Sequence, residues 1–204
     1  MSVWLRSVLK AAAFWLATLL VSPGLLSYWV RSLVMGRDRA LEGSSQTLSL
    51  VPGVIGQFVR RAFYTRVLES FHPSVTVEFG TLFSKSGSRL GENVYVGPNC
   101  HIGLVNIERD VLLGPAVQIP SGRQTHGTGD LDIPIREQPG TSVMVTVGAG
   151  SWVGGAAVIM ADVGRDTVVG AGSVVTRPLP DAVVAVGSPA RTVRSRLGPP
   201  EAAV

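Results

Sequence analysis

The sequence carries a six-residue pattern in which an aliphatic residue is followed by Gly and, four positions on, by a small or β-branched residue. Its units open at Leu90, Val96, Ile102, Leu113, Val147, Val153 and Val169. A period this short predicts a solenoid, and a hexapeptide period is typical of a parallel β-helix. We expect three units to make one triangular coil and each aliphatic residue to stack on its equivalent in the next coil.

The pattern is interrupted after Ile119 and resumes at Val147, and residues 120–146 between them are rich in Gly, Pro and charge. A loop this long in a compact solenoid is usually functional. It contains His126, whereas His72 and His101 lie outside it. Because a neutral imidazole near pH 7 is suited to taking a proton from a hydroxyl, His126 is a candidate general base.

The N-terminal segment, residues 1–36, contains an uncharged and largely apolar stretch over 11–30, about long enough to span a bilayer. Pro23 and Gly24 in its middle predict a break, and basic flanks on both sides predict that both ends stay cytoplasmic. We therefore expect membrane association as a re-entrant helix–break–helix. Two alternatives stay open: a hydrophobic hairpin packed on the protein's own trimer, and a cleaved signal peptide, although no clear cleavage site follows.

Residues 37–72 are predicted to hold a polar linker, over 37–53, and then an amphipathic helix. Apolar residues from Ile55 to Val67 recur at helical spacing, with arginines on the remaining surface. That helix is placed to cover the open end of the first coil or to lie on a membrane surface. Residues 198–204 are a tail.

Charge is unevenly distributed along the chain. Residues 1–70 hold eight Lys or Arg against three Asp or Glu, while the remainder holds ten against eleven. The basic N-terminal part favours a surface with anionic lipid as partner, and no basic stripe follows the repeat as a nucleic-acid site requires.

The single cysteine, Cys100, excludes an intramolecular disulfide and fits a reducing compartment. It occupies the small interior position of its unit, so we expect a structural role. The three His are 29 and 25 residues apart, which argues against the zinc site of a β-helical carbonic anhydrase. No metal is expected.

Residues 75–197 resemble the hexapeptide-repeat acyltransferase superfamily, most clearly in VVGAGSVVTRPLPDAVVAVGSPARTVR over 168–194. The resemblance implies an all-β solenoid, a left-handed parallel β-helix over 73–197 with a hydrophobic helical appendage. It also implies a homotrimer whose active site lies between neighbouring subunits and uses the long loop. The run SQTLSLVPGVIGQFVRRAFY resembles a subgroup of O-acetyltransferases associated with polysaccharide assembly.

The resemblance also implies site residues. Gly155 and Ala171 would line a groove that leaves room for the pantetheine arm of acetyl-coenzyme A, and Trp152 would lie beside that groove. Thr176 and Arg177 would contact the arm or the nucleotide, and Arg191 and Arg194 would contact the phosphates. His126 would be the base, although an ungapped alignment with galactoside-type acetyltransferases places Gln124 there, so the assignment assumes a two-residue insertion. Candidates for acceptor contact are Asn99, His101 and Arg136, each of which is alternatively a solvated surface residue.

The sequence therefore predicts an O-acyltransferase that moves an acetyl group from coenzyme A to a sugar hydroxyl. Because the apolar N-terminal segment favours membrane association, we expect the acceptor to be a lipid-linked or surface-polysaccharide precursor at the cytoplasmic face of a bacterial inner membrane. Serine and xenobiotic acetyltransferases of the same fold are alternatives, but the apolar segment has no purpose in either. A non-catalytic β-helix scaffold is the alternative of another class, and it would not need the long loop or the C-terminal arginines.

Overall fold

The structure is a computed structural model that describes residues 3–198, with side chains from residue 14 onward. Residues 199–204 of the predicted tail lie outside the described part, as does the side chain of Trp4. The described chain begins with α1 (Val3–Met35), α2 (Arg37–Ser49) and α3 (Gly53–Val67). The strands that follow are β1 (Ser70–Phe71), β2 (Thr76–Val77), β3 (Leu82–Phe83), β4 (Arg89–Leu90), β5 (Tyr95–Val96), β6 (His101–Ile102), β7 (Val105–Ile107), β8 (Leu112–Leu113), β9 (Gln118–Ile119), β10 (Val145–Val147), β11 (Trp152–Val153), β12 (Val158–Ile159), β13 (Val168–Val169), β14 (Val174–Val175), β15 (Val183–Gly187) and β16 (Ala190–Ser195).

The strands form the three faces of a triangular solenoid. Face A contains β1, β4, β7 and β10, face B runs from β2 to β15 with β16 added antiparallel, and face C contains β3, β6, β9, β12 and β14. Single bridges from Val147 to Val163 and on to Leu179 continue face A. The chain visits A, B and C in turn through about six coils, which confirms the predicted left-handed parallel β-helix.

Two of the corners matter for the site. The glycine corner joins faces B and C, and the loop corner joins face C to face A. The glycine corner comprises residues 78–81, 97–100, 114–117, 154–157 and 170–173; the loop corner comprises residues 84–88, 103–104, 120–144, 160–162 and 176–178.

The aliphatic residues of the repeat stack in the core as predicted. Leu90, Ile107, Leu113, Ile119 and Ile159 are all fully buried. The glycines of the repeat allow the coils to approach closely, because a Cβ on Gly97 would come within 2.7 Å of the backbone of Gly114. Core register and coil spacing are therefore both set by the six-residue period.

The helix α1 is continuous through Pro23, so the predicted break in the apolar segment is wrong. Proline lacks the N–H that would bond the carbonyl four residues earlier. That carbonyl, of Leu19, instead accepts a hydrogen bond from the Ser22 hydroxyl at 2.8 Å. Packing on α2 and α3 through Ala17, Val21 and Tyr28 also supports the helix across this point.

Most of α1 is not covered by the rest of the protein. Phe14–Met35 is long and apolar enough to cross a membrane, and only 11% of its most apolar window is buried. Leu33 and Val34 are 87% and 85% exposed. The apolar surface predicted from the sequence is therefore present on the outside of this single chain.

The predicted polar linker is also wrong, because Arg37–Ser49 forms α2. Two of its polar side chains, Asp38 and Ser45, bond to the β-helix. Asp38 accepts hydrogen bonds from the backbone N–H and hydroxyl of Ser86, and Ser45 Oγ accepts one from the N–H of Phe83 at 2.8 Å. These contacts hold α2 against face C and so explain why a polar stretch is helical.

The helix α3 covers the first coil and buries Arg60. The Arg60 guanidinium donates to the carbonyls of Leu48, Val51 and Val77 at 3.1, 2.7 and 3.0 Å. These carbonyls belong to the end of α2, the turn after it and the first strand of face B. One buried side chain therefore joins the helical appendage to the β-helix.

Candidate functional site

The long loop leaves the β-helix after β9 and returns at β10, so it occupies residues 120–144. It runs along the loop corner, because Arg123 Nη1 donates a hydrogen bond to the Thr176 carbonyl two coils further on, at 3.0 Å. Nothing in the sequence around Arg123 indicates this contact. The loop is thereby fixed beside Arg177, at the C-terminal end of the solenoid.

The loop has internal structure of its own, organised by the buried side chain of Gln138. Its amide nitrogen donates to the carbonyls of Asp130 and Ile133 at 2.5 and 2.8 Å, and its amide oxygen accepts from the Asp130 N–H. The two arms of the loop are joined by the Thr141 N–H and the Gln124 carbonyl at 2.7 Å. Sequence reasoning did not identify Gln138, since nothing distinguishes it from the solvated residues around it.

His126 lies where the two arms come closest. A Cβ on Gly140 would collide with the carbonyl of Thr125, so a glycine is needed at that crossing. The His126 side chain is exposed, and its ring makes no hydrogen bond to the part of the chain that the structure describes. Both ring nitrogens are therefore open to a ligand, and the side chain of Gln124 is exposed beside them.

Gly155 and Ala171 lie on the glycine corner, in neighbouring coils. The Gly172 N–H donates to the Gly155 carbonyl at 2.9 Å, and Ala171 and Gly172 are exposed. A Cβ on Gly172 would meet nothing within 4 Å, whereas one on Gly155 would lie 3.1 Å from the Pro115 carbonyl oxygen. Around Gly155, Ala171 and Gly172 this corner is therefore a strip of nearly bare backbone, as a surface that accepts an extended ligand requires.

The remaining predicted donor residues lie elsewhere in the chain. Thr176 and Arg177 are on the loop corner, where Arg177 and Arg191 line a cleft of about 200 Å³. Arg194 pairs with Val184 on the β15–β16 ladder. Because the glycine corner and the loop corner are at opposite ends of face C, one chain does not bring all the predicted donor residues into one site.

Trp152 projects from face B rather than from either corner. It is about half exposed and is in register with Leu112 and Val168 of the adjacent strands. With Tyr95 one coil further away, these side chains form an outward apolar stripe along face B. An exposed apolar stripe of this kind is typical of a surface that contacts another protein.

The three candidate acceptor residues are separated. Asn99 has a left-handed backbone (φ 58°) and its amide oxygen packs over Gly80, so it shapes the glycine corner. His101 lines a cleft of about 300 Å³ between face C and α2. Arg136 is exposed in the loop and pairs with Glu137 at 3.8 Å.

The cleft beside His101 also contains residues that sequence reasoning missed. Glu42 and Gln46 of α2 form one wall, and Gln118 of face C lies on the other. The two α2 residues were overlooked because this segment reads as a linker from its sequence. No group of His, Cys, Asp and Glu in the described residues is arranged to hold a metal ion.

Cys100 is expected to be unreactive in the folded protein. It is fully buried in the glycine corner, and burial raises the pKa of its thiol to about 11, so the nucleophilic thiolate is scarce at pH 7. We expect labelling by iodoacetamide at pH 7.5 to be about 100-fold slower than in urea-unfolded protein. Rapid labelling of the native protein, or loss of activity in Cys100→Ala, would contradict the structural role.

Comparison with known proteins identifies acetyltransferases. The chain is 29% identical over 153 residues to galactoside O-acetyltransferase of Escherichia coli, a match that covers 60% of this chain and 71% of that protein. Four other curated relatives, 28% to 34% identical and all described as acetyltransferases, are matched over 40% to 61% of their own length. No family profile matches the chain.

Two solved structures that align with this chain are acetyltransferases as well. A maltose O-acetyltransferase from Clostridium difficile aligns with a TM-score of 0.66 at 23% identity, over 78% of this chain and 87% of that one. A hexapeptide-repeat acetyltransferase from Vibrio cholerae, solved with acetyl-coenzyme A, aligns with a TM-score of 0.67 at 22% identity, over 82% and 92%. The predicted fold is thus confirmed, and the predicted acyltransferase class agrees with the descriptions of these relatives.

Proposed function

We propose that this chain is a hexapeptide-repeat acyltransferase and that it transfers an acetyl group from acetyl-coenzyme A to a hydroxyl of a saccharide. Its relatives include enzymes named for galactoside and for maltose, and two of the solved structures of this fold contain coenzyme A or its acetyl ester. Those names support a saccharide acceptor here.

The observation that carries the proposal is the division of the site between two corners. The organised loop with His126, Thr176 and Arg177 lies at one end of face C, and the bare strip at Gly155 and Ala171 lies at the other. A cyclic trimer in which the loop corner of one subunit faces the glycine corner of the next would complete three sites. The apolar stripe on face B provides surface for such an assembly.

The residues present suit coenzyme A. A strip without bulky side chains leaves room for the narrow pantetheine arm, and the Arg177 and Arg191 guanidinium groups offer forked donors for phosphates. Arg194 lies further along the same strand, β16, as Arg191. In our proposal Thr176 contacts the pantetheine arm. Trp152 is contributed by the neighbouring subunit and lies beside the groove that holds this arm.

The chemistry needed from the protein is modest. When bound, the donor supplies an acetyl group already activated as a thioester. The neutral imidazole of His126 accepts the proton of the acceptor hydroxyl as the new ester bond forms, and gives it to sulfur as the C–S bond breaks. Asn99, His101 and Arg136 are candidates for holding the acceptor, and His101 lines the cleft between face C and α2.

The uncovered apolar surface of α1 and the basic flanks of that helix support membrane association. We place the protein at the cytoplasmic face of a bacterial inner membrane, where coenzyme A is available and lipid-linked saccharides are assembled. The acceptor in this proposal is therefore a lipid-linked or surface-polysaccharide precursor.

Substitution of the cleft arginines tests the donor. We expect Arg177→Gln and Arg191→Gln each to raise the Kd for acetyl-coenzyme A about tenfold or more, because each removes charge-assisted hydrogen bonds to phosphate. Calorimetry on the detergent-purified protein measures the change. Arg165→Gln is the matched control, since Arg165 is exposed on another corner and pairs with Glu108.

Transfer to membrane saccharide extracts, followed by product mass, identifies the acceptor. Gain of one acetyl group on a saccharide supports the proposal. Absence of acetyl-coenzyme A binding in the parent protein would favour the non-catalytic scaffold instead.

A further inference from the structure

An apolar groove lies between the three helices of the N-terminal appendage. It has a volume of about 280 Å³, and its floor includes Val21, Leu48, Val59 and Phe63. An adjoining apolar depression of about 130 Å³ shares Leu20 and Val59 with it. Both depressions lie along α1, and we call the two together the helix groove.

The groove follows one side of α1. Leu16, Leu20, Gly24, Ser27 and Arg31 are spaced three or four residues apart and so lie on one face of the helix, over about 22 Å. Gly24 has no side chain, and a Cβ there would meet nothing within 4 Å. The groove therefore exists because residues 24 and 27 are small, and not because the helices pack poorly.

A cation is held at one end of this groove. Arg31 Nη2 donates to the Ser44 hydroxyl at 2.7 Å, and its Nε donates to the Ser27 carbonyl and hydroxyl at 3.3 Å. A Cβ on Gly43 would lie only 3.1 Å from Arg31 Nη1, so that glycine gives the guanidinium room. None of the ion pairs formed among residues 14–198 includes Arg31, so its charge has no carboxylate partner there.

The surroundings of the groove are apolar. Leu20 belongs both to the groove and to the exposed surface of α1, which also presents Trp15 and Leu19. The hydrocarbon chain of a lipid that enters from a membrane therefore passes from one apolar surface to another without crossing a polar barrier. The charge at Arg31 then favours an anion at the end of that hydrocarbon chain.

We propose that the helix groove binds one lipid phosphate, with an apolar chain along Leu16, Leu20 and Gly24 and the phosphate on Arg31. This deepens the proposed function, on which it rests, because a lipid-linked saccharide acceptor carries both groups. The phosphate would lie at the junction of α1 and α2, and α2 is itself a wall of the cleft that contains His101. Lipid and saccharide would thus bind along one continuous helical unit.

Binding of dodecyl phosphate to the full-length protein in maltoside micelles tests the proposal. Dodecanol, which has the apolar chain alone, and inorganic phosphate, which has the anion alone, are measured for comparison. We expect dodecyl phosphate to bind about tenfold or more tightly than either, since a hydrogen-bonded charge and a buried chain both contribute. Arg31→Gln should remove the preference over dodecanol. Gly24→Phe should fill the groove and weaken binding about tenfold, whereas Gly24→Ala, the matched control, should bind like the parent.

Equal affinity for the three probes, or affinity that survives both variants, would show partition into micelles and overturn the proposal. A change of oligomeric state in Gly24→Phe without loss of binding would assign the groove to a contact between copies. Acetyl-coenzyme A binding is measured on the same samples. If the parent protein binds acetyl-coenzyme A but not dodecyl phosphate, only the proposal for the helix groove is contradicted. If it binds dodecyl phosphate but not acetyl-coenzyme A, only the acyltransferase proposal is contradicted.

Discussion

His126→Ala is expected to lower kcat for acetyl transfer by a factor of about 10² to 10⁴, the usual contribution of a positioned general base. The Kd for acetyl-coenzyme A should stay unchanged, because the ring is exposed at the arm crossing of the loop and forms no part of the loop's hydrogen bonds. Steady-state kinetics with the identified acceptor, together with calorimetry for the donor, measures both quantities.

The matched control is Thr128→Ala, which changes an exposed residue of the same loop arm. It should retain near-parental kcat. Gln124→Ala distinguishes the two alignments of the loop. If Gln124→Ala loses activity and His126→Ala retains it, the base is not His126 and the assumed two-residue insertion is wrong.

Arg60→Met is expected to destabilise the fold by about 2–5 kcal/mol, because a buried carbonyl left without a donor costs about 1–3 kcal/mol. The Val51 and Val77 carbonyls lose the donor that Arg60 supplies, whereas the Leu48 carbonyl keeps the Val51 N–H. Methionine fills much of the space but offers no N–H to Leu48, Val51 or Val77. The helical appendage should detach first, since these bonds join it to the first coil. Chemical unfolding monitored by tryptophan fluorescence measures the loss, as three of the four Trp lie in residues 1–36.

Arg61→Met is the control for this prediction. Arg61 is only half-buried and makes one such bond, to the Val75 carbonyl at 3.0 Å. Its loss should cost about 1 kcal/mol, the net value of an ordinary hydrogen bond. Equal effects of the two substitutions would mean that Arg60 does not join the appendage to the β-helix.

The β-helix could be predicted from the sequence because every position of a hexapeptide meets the same environment in each coil. Leu113 and Val153 are examples, since they occupy equivalent positions and are paired in register. A single periodic signal therefore fixes core, strand and corner together. The long loop was visible for the same reason, as the one extended interruption of a regular pattern.

The helical appendage was predicted less well because its stability depends on contacts remote in sequence. The polar residues of α2 indicate a linker until the Ser86 and Phe83 groups that they bond are known. Continuity at Pro23 likewise depends on a neighbouring hydroxyl and on packing against other helices. Local propensity cannot report such tertiary compensation.

The candidate site was predictable in residue identity but not in arrangement. The corner positions of Gly155, Ala171 and Arg177 follow from the repeat, and the structure places the first two on the glycine corner but Arg177 on the loop corner. The residues that hold the loop, Gln138 and Arg123, carry no sequence signal, because their roles are hydrogen bonds to backbone groups elsewhere.

Activity of mixed oligomers tests the central claim, that the acyltransferase site is built from the loop corner of one subunit and the glycine corner of another. His126→Ala disables the loop, and Ala171→Trp fills the bare strip at an exposed position. Each variant alone should be inactive. When equal amounts of the two variants are unfolded together and refolded, about a quarter of the sites should regain activity. These are the sites whose loop corner comes from an Ala171→Trp chain and whose glycine corner comes from a His126→Ala chain. If the mixture stays as inactive as its components, although each variant refolds and assembles, the site lies within one chain and the account is wrong.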